Sequence, residues 1–337
     1  MVARKKISIL TTILLAVSIL GGCGKIQDSK GEVLKDKDVI KIGISQTIEH
    51  PALDKTKDGF IDALKSKGFQ DGKNIKINYQ NAQGDMLTTQ SIAENFISKR
   101  EDIIYAIATP SAQAAYNATK RTPIIITAVT DPVESGLAKS KEKSETNVTG
   151  TTDSVPLDEQ MELIKKLIPK AKKLGVLYNT SENNSQIQLR NIKKLAPKFG
   201  LEVIEASITN VNEVPQSLSS ILNKVDVLYT PTDNTVASAM TLISNECFKK
   251  NVPIIGAERA HVIGGALATI GIDYYKLGFQ TGLLAVDIIN GKDPSDIPIK
   301  SLEKMQLVIN EDSAKKLKLE VPEDLVKKAE IVKEGDK

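Results

Sequence analysis

The sequence of 337 residues has little of what most catalytic and metal sites require. It has no tryptophan, two cysteines and two histidines, and only 4% of its residues are aromatic. Two cysteines cannot build a disulfide framework or a cysteine-rich zinc site, and no HExxH or paired Cys/His spacing occurs. The sequence also lacks a GxSxG elbow and the glycine-rich loops that bind dinucleotides or nucleoside triphosphates. We therefore expect no metal, no cofactor and no catalytic residues, which indicates a protein other than an enzyme.

The chain also has little net charge. The 45 Lys and Arg residues nearly balance the 42 Asp and Glu residues, and the small surplus lies in Arg4, Lys5 and Lys6. The chain after residue 22 is formally neutral, and a neutral body does not attract a phosphate backbone, so we expect no nucleic-acid binding. The length favours two domains, because a single core rarely grows beyond about 250–300 residues.

Residues 1–22 have the pattern of a signal peptide. A basic segment precedes an apolar run over residues 7–20, which is shorter than the ~20 residues that span a bilayer. The segment Leu20-Gly21-Gly22-Cys23 resembles the bacterial lipobox, which implies lipidation of Cys23 and an extracytoplasmic protein anchored to the cell membrane. The alternative is an ordinary signal peptide followed by an incidental cysteine. Residues 23–38 are polar and predict a flexible tether.

From Val39 onward, short β-branched runs alternate with amphipathic segments at helical spacing. Several runs, such as Ile103–Ala108 and Ile124–Ala128, are apolar almost throughout, which is typical of parallel strands covered by helices on both faces. The alternation predicts an α/β fold. A pattern of strand, Thr-Pro turn, helix and Pro-Ile-Ile strand occurs at residues 103–126 and again at residues 225–255. This repeat predicts two doubly wound parallel-sheet lobes of the same topology.

Polar side chains follow many of the predicted strands directly. In open parallel sheets, ligands bind beyond the carboxyl ends of the strands, so these positions are candidates for a binding cleft. Each could instead cap a helix or stabilise a turn. Their occurrence in six turns of two similar lobes favours the cleft. The candidates are Gln46, Thr47, His50, Thr109, Ser111, Thr130, Asp131, Asn179, Thr180, Asp233, Asn234 and Glu258.

The chemistry of these residues suits a small zwitterion. Ser111 and Thr130 can donate hydroxyl hydrogen bonds to a carboxylate, and Ala112, if it opens a helix, offers a free backbone N–H group. One lobe would then hold the acid of the ligand and the other its amine. Each acidic side chain could instead be a solvated loop carboxylate or a cap. The candidate partners for the amine are Asp131, Asp233 and Glu258.

Six short segments carry a family resemblance. They are Ile44-Ser45-Gln46-Thr47-Ile48-Glu49-His50-Pro51-Ala52-Leu53-Asp54, Ala108-Thr109-Pro110-Ser111-Ala112-Gln113, Ala128-Val129-Thr130-Asp131-Pro132-Val133, Val148-Thr149-Gly150, Gly175-Val176-Leu177-Tyr178-Asn179 and Thr230-Pro231-Thr232-Asp233-Asn234. As a set, they resemble the ABC transporter substrate-binding lipoproteins of the type I periplasmic-binding-protein class, and specifically the tryptophan/tyrosine-binding subfamily. The resemblance extends from about Val39 to about Glu320.

This resemblance implies two lobes joined by crossover segments, with an amino acid between them. Residues 39–152 with about 272–292 would form the N-terminal lobe, and residues 153–271 with about 293–325 the C-terminal lobe. The family also implies that the closed protein docks on a membrane permease with a cytoplasmic ATPase. We expect the chain itself to be a monomer.

The resemblance also implies residue roles. Ser111 and Thr130 would bind the ligand carboxylate, and Asp131 or Asp233 would face its amine. An indole or phenol ring needs apolar or stacking walls, and without tryptophan the aromatic candidates at strand ends are Tyr178 and Tyr229, for which core packing is the alternative. The further pocket residues would be Gln46, His50, Asn179, Thr180 and Asn234.

Other functions stay open on the residues alone. A sensory or receptor module could use the same lobes, although residues 323–337 predict only a short charged helix or a frayed end. A surface enzyme of the same fold would need a nucleophile and base that the sequence does not show. Within the family, the ligand could be a branched-chain amino acid or another small solute.

Overall fold

The structure is a computed structural model that describes residues 34–333. The predicted signal peptide, Cys23 and the tether up to residue 33 lie outside these residues. Within residues 34–333, no helix has both the length and the apolar character needed to cross a membrane. Part of the predicted tether is folded: Leu34–Asp36 form a 3-10 turn. Lys37 then pairs with the body, with its Nζ 2.7 Å from Asp102 Oδ1. The folded body therefore begins before the predicted start at Val39.

The described residues contain thirteen strands and twelve α-helices, which alternate along most of the chain. The strands are β1 (Ile40–Gln46), β2 (Ile75–Asn81), β3 (Ile103–Ile107), β4 (Ile124–Val129), β5 (Val148–Thr152), β6 (Lys173–Asn179), β7 (Glu202–Ile208), β8 (Val227–Thr230), β9 (Ile254–Gly256), β10 (Ala268–Gly271), β11 (Lys300–Ser301), β12 (Gln306–Asn310) and β13 (Glu330–Val332). The helices are α1 (Pro51–Ser66), α2 (Met86–Ser98), α3 (Thr109–Ala118), α4 (Leu157–Leu167), α5 (Asn183–Leu195), α6 (Val214–Ile221), α7 (Asn234–Ser238), α8 (Met240–Lys249), α9 (Arg259–Ile263), α10 (Tyr274–Ile289), α11 (Glu311–Lys316) and α12 (Glu323–Val326).

The strands form two sheets, each with its own helices. The first sheet has the order β11-β5-β4-β3-β1-β2 and the second the order β13-β12-β10-β9-β8-β6-β7. The pairing is parallel throughout, except between β10 and β12. Strands β3 and β4 are buried along their whole length, which explains their nearly continuous apolar sequences. The predicted α/β fold with two parallel-sheet lobes is confirmed.

We call the first sheet with its helices the first lobe, and the second sheet with its helices the second lobe. The chain passes from one sheet to the other between β5 and β6, between β10 and β11, and between β11 and β12. In contrast to the expected boundary near residue 292, the first lobe continues to Ser301, because Ile297 and Ile299 are buried in its cores and β11 pairs with β5. A two-residue strand has no periodicity that a sequence can display.

The second lobe also extends beyond its expected end at residue 325. As far as residue 333, the C-terminal segment predicted as a charged helix or frayed end forms the short helix α12, followed by strand β13. Strand β13 pairs in parallel with β12 at the edge of the sheet. Edge strands of three residues that carry charged side chains are poorly marked in sequence, so this pairing depends on the tertiary structure.

Helices α1 and α10 pack at very short distance in the first lobe. A Cβ atom added at Gly278 would lie 1.9 Å from the backbone oxygen of Thr56, and one added at Gly59 would lie 2.1 Å from the backbone oxygen of Tyr275. Glycine is therefore required on both helices. Helix α10 lies in the connection from β10 of the second lobe to β11 of the first. Its packing on α1 therefore fixes the position of the chain where it passes between the lobes.

We predict that Gly278→Ala destabilises the protein by about 1–3 kcal/mol, because the new methyl group overlaps the backbone of α1. The free energy of unfolding is measured by urea denaturation. Lys276→Ala on the same helix is the control, because it removes only an exposed ion pair with Asp273 and should cost less than about 1 kcal/mol. Equal losses in the two variants would contradict the close packing of the helices.

Candidate functional site

A small cavity lies between the lobes at the carboxyl ends of strands from both sheets. Its volume is about 10 Å³, which is space for about one water molecule. A larger groove of about 380 Å³ also has Tyr274 in its lining, but Arg259 and Glu330 in that lining pair with each other. Three residues that line the small cavity, His50, Asp153 and Glu258, have a buried polar atom without a hydrogen bond. Its lining residues are His50, Leu53, Ala128, Asp153, Thr232, Asp233, Asn234, Ala237, Glu258 and Tyr274.

Polar contacts join the two lobes around this cavity. Two of them are buried and two lie nearer to the surface, so the lobes meet over the full depth of the cleft. The contacts are Thr130 Oγ1 to Thr232 Oγ1 (2.9 Å), His50 Nε2 to Asn234 Oδ1 (3.5 Å), Ser135 Oγ to Asn183 Oδ1 (3.1 Å) and Arg190 Nη2 to Glu134 Oε2 (2.6 Å). The structure therefore shows the two lobes closed on each other.

Two buried carboxyl groups line the cavity, and each has an oxygen that accepts no hydrogen bond. These oxygens are Oε1 of Glu258 and Oδ1 of Asp153. The Tyr274 hydroxyl donates to the other oxygen of Asp153 at 2.8 Å. Burial raises the pKa of Glu258 to about 8, with a further increase from the charge of Asp153, and burial raises the pKa of Asp153 to about 6. An ammonium group between the two carboxylates would compensate for their lost hydration.

Asp233 also lines the cavity, but its oxygens are already used. Oδ1 accepts a hydrogen bond from the backbone N–H of Val236 at 2.9 Å, which caps helix α7. Oδ2 accepts from the backbone N–H of Asn179 and from the hydroxyl of Ser185. Asp233 therefore holds α7 against strand β6, and its carboxylate has less capacity for a ligand amine than Glu258 has.

Asp131 lies in a turn of the first lobe and outside the cavity lining. Its Oδ1 accepts hydrogen bonds from the backbone N–H groups of Val133 and Glu134, both at 3.0 Å. The carboxylate thus stabilises the turn that carries the interlobe contacts of Glu134 and Ser135. The structure uses Asp131 and Asp233, two of the three predicted amine partners, in backbone hydrogen bonds. Glu258, the third, and Asp153 each keep one oxygen without a hydrogen bond.

The hydroxyl groups predicted to hold a carboxylate lie in the first lobe. Ser111 Oγ is 2.9 Å from Thr47 Oγ1, and the Ser111 backbone N–H donates to the same hydroxyl oxygen. Helix α3 begins at Thr109, earlier than expected, so the Ala112 N–H is not free but donates to the Ala108 carbonyl at 3.0 Å. Thr109 Oγ1, in contrast, is buried and has no partner.

Two alanines at this edge have an unusual backbone. Ala108 (φ 75°) and Ala128 (φ 53°) both adopt positive φ at the ends of neighbouring strands. Such conformations are uncommon for alanine and cluster at ligand sites, where the surrounding structure enforces them. Ala128 contributes directly to the cavity lining.

The other predicted pocket residues have different surroundings. The Gln46 side-chain amide donates to Asp54 Oδ1 at 3.0 Å, while its Oε1 is buried without a partner. Asn179 donates to Thr235 Oγ1 at 2.8 Å and so supports α7 from behind. Thr180 is exposed and its backbone N–H bonds to Ile208, which places it away from the cavity.

A histidine and an asparagine side chain meet across the cavity. His50 is buried, its Nδ1 has no hydrogen-bond partner, and burial lowers its pKa to about 4, so the ring is neutral. Asn234 is held by Glu182, whose Oε2 accepts from both the backbone and the side-chain N–H groups of Asn234. His50 comes from the first lobe and Asn234 from the second, so this pair forms only on closure.

Sequence reasoning missed Asp153 and Tyr274. Asp153 directly follows β5, whose sequence Val-Thr-Gly-Thr-Thr lacks the continuous apolar run of the neighbouring strands. Tyr274 is the first residue of α10 and is the aromatic residue in the cavity lining. The aromatic candidates from the sequence lie elsewhere: Tyr229 is buried against Gln160 in the core, and Tyr178 lies beside Glu205.

The two parallel-sheet lobes have the fold of the type I periplasmic-binding-protein class. Within this class, residues 41–333 match the family described as ABC transporter substrate binding protein, and the chain belongs to that family. It is 51% identical over 322 residues to a Clostridioides difficile protein named tyrosine-binding protein, an overlap that covers 94% of this chain and 93% of the relative. The chain is thus a substrate-binding protein of an ABC transporter.

Two solved structures clarify the arrangement of the lobes. An ABC domain from Streptococcus pneumoniae in complex with L-Trp is 35% identical and has a TM-score of 0.84, covering 87% of this chain and 99% of that chain. The ligand-free, open structure of a Clostridium difficile substrate-binding protein with adhesive properties is 52% identical, covers 88% and 99%, and has a TM-score of only 0.67. The open structure is the more similar of the two in sequence but superposes less well on this chain, which agrees with closed lobes here.

We predict that Glu258→Gln stabilises the ligand-free protein increasingly as the pH rises. The pKa of Glu258 is about 8 in the folded protein against 4.5 as the ordinary value, so its contribution to stability is complete below 4.5 and is lost as the pH rises through about 8. Glutamine does not ionise. Relative to the unmodified protein, the variant should gain about 1–3 kcal/mol between about pH 5 and about pH 9.

Urea denaturation at several pH values measures this gain. Glu159→Gln in helix α4 is the matched control, because Glu159 is exposed and its replacement should give a difference that does not change with pH. A pH-independent difference for Glu258→Gln as well would show that Glu258 is hydrated rather than buried.

Proposed function

We propose that the protein captures an aromatic amino acid, tyrosine or tryptophan, between its lobes and delivers it unchanged to a membrane permease driven by an ATPase. The observation that carries this proposal is the pair of buried carboxyl groups, Glu258 and Asp153, which line the interlobe cavity and each have an oxygen without a hydrogen bond. A cationic group is the natural complement of such a pair, because burying it there restores the interactions that both carboxylates lose on leaving water.

The opposite rim supports a ligand that also carries a carboxylate. Thr109 Oγ1 is buried without a partner, and the hydroxyls of Ser111 and Thr130 lie on the same edge of the first sheet. Within residues 34–333, no lysine or arginine lines the cavity, so a ligand carboxylate would be bound by hydroxyl and backbone N–H donors. Ammonium at one end and carboxylate at the other describe an α-amino acid.

The lining also offers apolar groups to the ligand side chain once the lobes part to admit it. Leu53, Ala128, Ala237 and the ring of Tyr274 all line the cavity. Aromatic rings pack favourably in offset or edge-to-face contact with a tyrosine ring. The relatives support this choice, since one at 51% identity is named tyrosine-binding protein and another, at 35%, was crystallised with L-Trp. A binding role without catalysis also follows the family.

We further propose that residues 1–22 are a signal peptide and that lipid on Cys23 anchors the mature, monomeric protein to the outer face of the cell membrane. A substrate-binding protein of an ABC importer acts outside the cytoplasm. The basic and apolar pattern of the N-terminus and the Leu-Gly-Gly-Cys sequence support export and lipidation. The polar segment between Cys23 and Leu34 has the length and composition of a tether.

We predict that L-tyrosine or L-tryptophan stabilises the chain without residues 1–23. At 100 times its dissociation constant, either ligand should add about 2.7 kcal/mol to the free energy of unfolding. Thermal denaturation measures the shift. Tyramine, which lacks the carboxylate, and 3-(4-hydroxyphenyl)propanoate, which lacks the amine, serve as matched controls, and neither should stabilise the protein.

The same assay separates the alternatives. A shift with leucine or isoleucine but none with the aromatic amino acids would move the assignment to a branched-chain carrier. A shift with tyramine alone would remove the carboxylate subsite from the proposal. If no member of a complete amino-acid panel shifts the transition, the proposed ligand class is wrong while the fold and family stand.

For the anchor, we predict that Cys23→Ser releases the protein from membranes, because it removes the thiol to which the acyl chains would be attached. The amount in the membrane and soluble fractions, and in the detergent phase of a phase-separation experiment, measures the effect in the native host. Ser29→Ala in the same segment is the control and should stay in the membrane fraction. Retention of Cys23→Ser in the detergent phase would contradict lipidation at this residue.

A further inference from the structure

We infer that His261, which does not line the cavity, is the residue that positions Glu258 for the ligand amine and exchanges a proton with it when the ligand binds. The inference rests on the proposed amino-acid function. It assigns a role to a histidine that neither metal spacing nor cavity lining explains. It also makes a measurable statement about the protons released during binding.

The geometry places the imidazole directly behind the carboxyl group. His261 is fully buried in helix α9, and its Nε2 lies 3.4 Å from Glu258 Oε1. Its Nδ1 lies 2.9 Å from the hydroxyl oxygen of Thr230. Neither His261 Nε2 nor Glu258 Oε1 has another partner, so the two atoms are available to each other and need only a small rotation to bond.

Two glycines in the sheet leave room for this arrangement. A Cβ atom added at Gly256, in strand β9, would lie 2.4 Å from Cβ of His261. One added at Gly271, in strand β10, would lie 3.2 Å from Cα of Glu258. Two neighbouring strands thus have glycine where the first turn of α9 packs against the sheet. Glu258 precedes that helix but makes no cap with its side chain, so the carboxyl group is free for another role.

The groups facing Glu258 come from several elements. Asp153 faces it from the first crossover and Tyr274 from α10, while His50 lies across the cavity beside α1 and Asp233 lies on the rim of the second lobe. Burial lowers the pKa of His261 to about 3, with a further decrease from His50, so the imidazole is neutral at physiological pH. A neutral imidazole can accept a hydrogen bond at Nε2 or donate one there, depending on its tautomer.

These properties define a balanced proton exchange. Without ligand, Glu258 is protonated and donates to Nε2, while the Nδ1–H donates to the oxygen of Thr230. When the ligand ammonium arrives, Glu258 gives its proton to Nε2 and becomes the carboxylate that pairs with the cation. The Nδ1 proton leaves to solvent, and the hydroxyl of Thr230 turns to donate to Nδ1. One proton is released per ligand, and the imidazole is neutral before and after.

Titration calorimetry of the chain without residues 1–23 tests this, with L-tyrosine and L-tryptophan as the probes in two buffers of different ionisation enthalpy. Near pH 7, the unmodified protein should release about one proton per ligand. His261→Phe fills the same space without a nitrogen and should bind about 10- to 100-fold more weakly. His261→Gln keeps an amide near the position of Nε2 and should recover most of the affinity.

A double-mutant cycle separates positioning from general packing. In the Glu258→Gln background, His261→Phe should have no further effect on affinity, because the carboxylate that it positions is gone. Thr230→Val is the second single variant, should His261→Phe fail to fold. It removes the hydroxyl partner of Nδ1 but keeps the backbone of Thr230, and it should weaken binding by about tenfold or less.

The outcomes distinguish the two proposals. If the unmodified protein binds amino acids but His261→Phe, or Thr230→Val in its place, leaves affinity and proton release unchanged, the inference about His261 is overturned and the proposed function stands. Equal losses from His261→Phe with and without Glu258→Gln would also overturn it. If the unmodified protein binds no amino acid, the proposed function fails and the inference with it.

Discussion

The burial of two carboxyl groups between the lobes is the constraint on which the site depends. Glu258 and Asp153 are both more than nine-tenths buried, and each has an oxygen without a partner. Burial of an uncompensated charge is strongly unfavourable, so in the closed protein these groups favour the protonated form or a cation beside them. Closure of the lobes and the binding of the ligand ammonium group are therefore linked, because each lowers the free energy of the other.

The rest of the architecture holds the carboxyl groups of Glu258 and Asp153 at fixed positions. Parallel strands direct their carboxyl ends to the same edge in each sheet, so the two rims face each other across the crossovers. Asp233 and Glu182 hold helix α7 through backbone hydrogen bonds, which stabilises the second rim without presenting a free charge to the ligand. The close packing of α1 on α10 fixes Tyr274, whose hydroxyl orients Asp153.

The sequence predicts the fold better than it predicts the roles of the acids. Apolar runs such as β3 and β4 show parallel strands because both of their faces are buried. The rim residues follow from the strand ends. Which rim acid is free depends on hydrogen bonds formed in three dimensions: Asp233 and Glu258 both precede short helices, yet only Asp233 caps its helix. The sequence does not point to Asp153, because β5 (Val-Thr-Gly-Thr-Thr) lacks the apolar run that distinguishes β3 and β4.

The closed arrangement needs an energetic source, and the contacts at the mouth of the cleft cannot supply it. The ion pair of Arg190 with Glu134 is about half exposed, and such pairs contribute at most about 1 kcal/mol. The buried hydroxyl pair of Thr130 with Thr232 replaces hydrogen bonds that both groups make to water when the lobes open, so its net contribution is also small. A bound cation that compensates the buried acids stabilises the closed lobes more than either contact does. Closure that depends on the charge of the ligand gives a carrier a physical means of distinguishing its occupied form from its empty one.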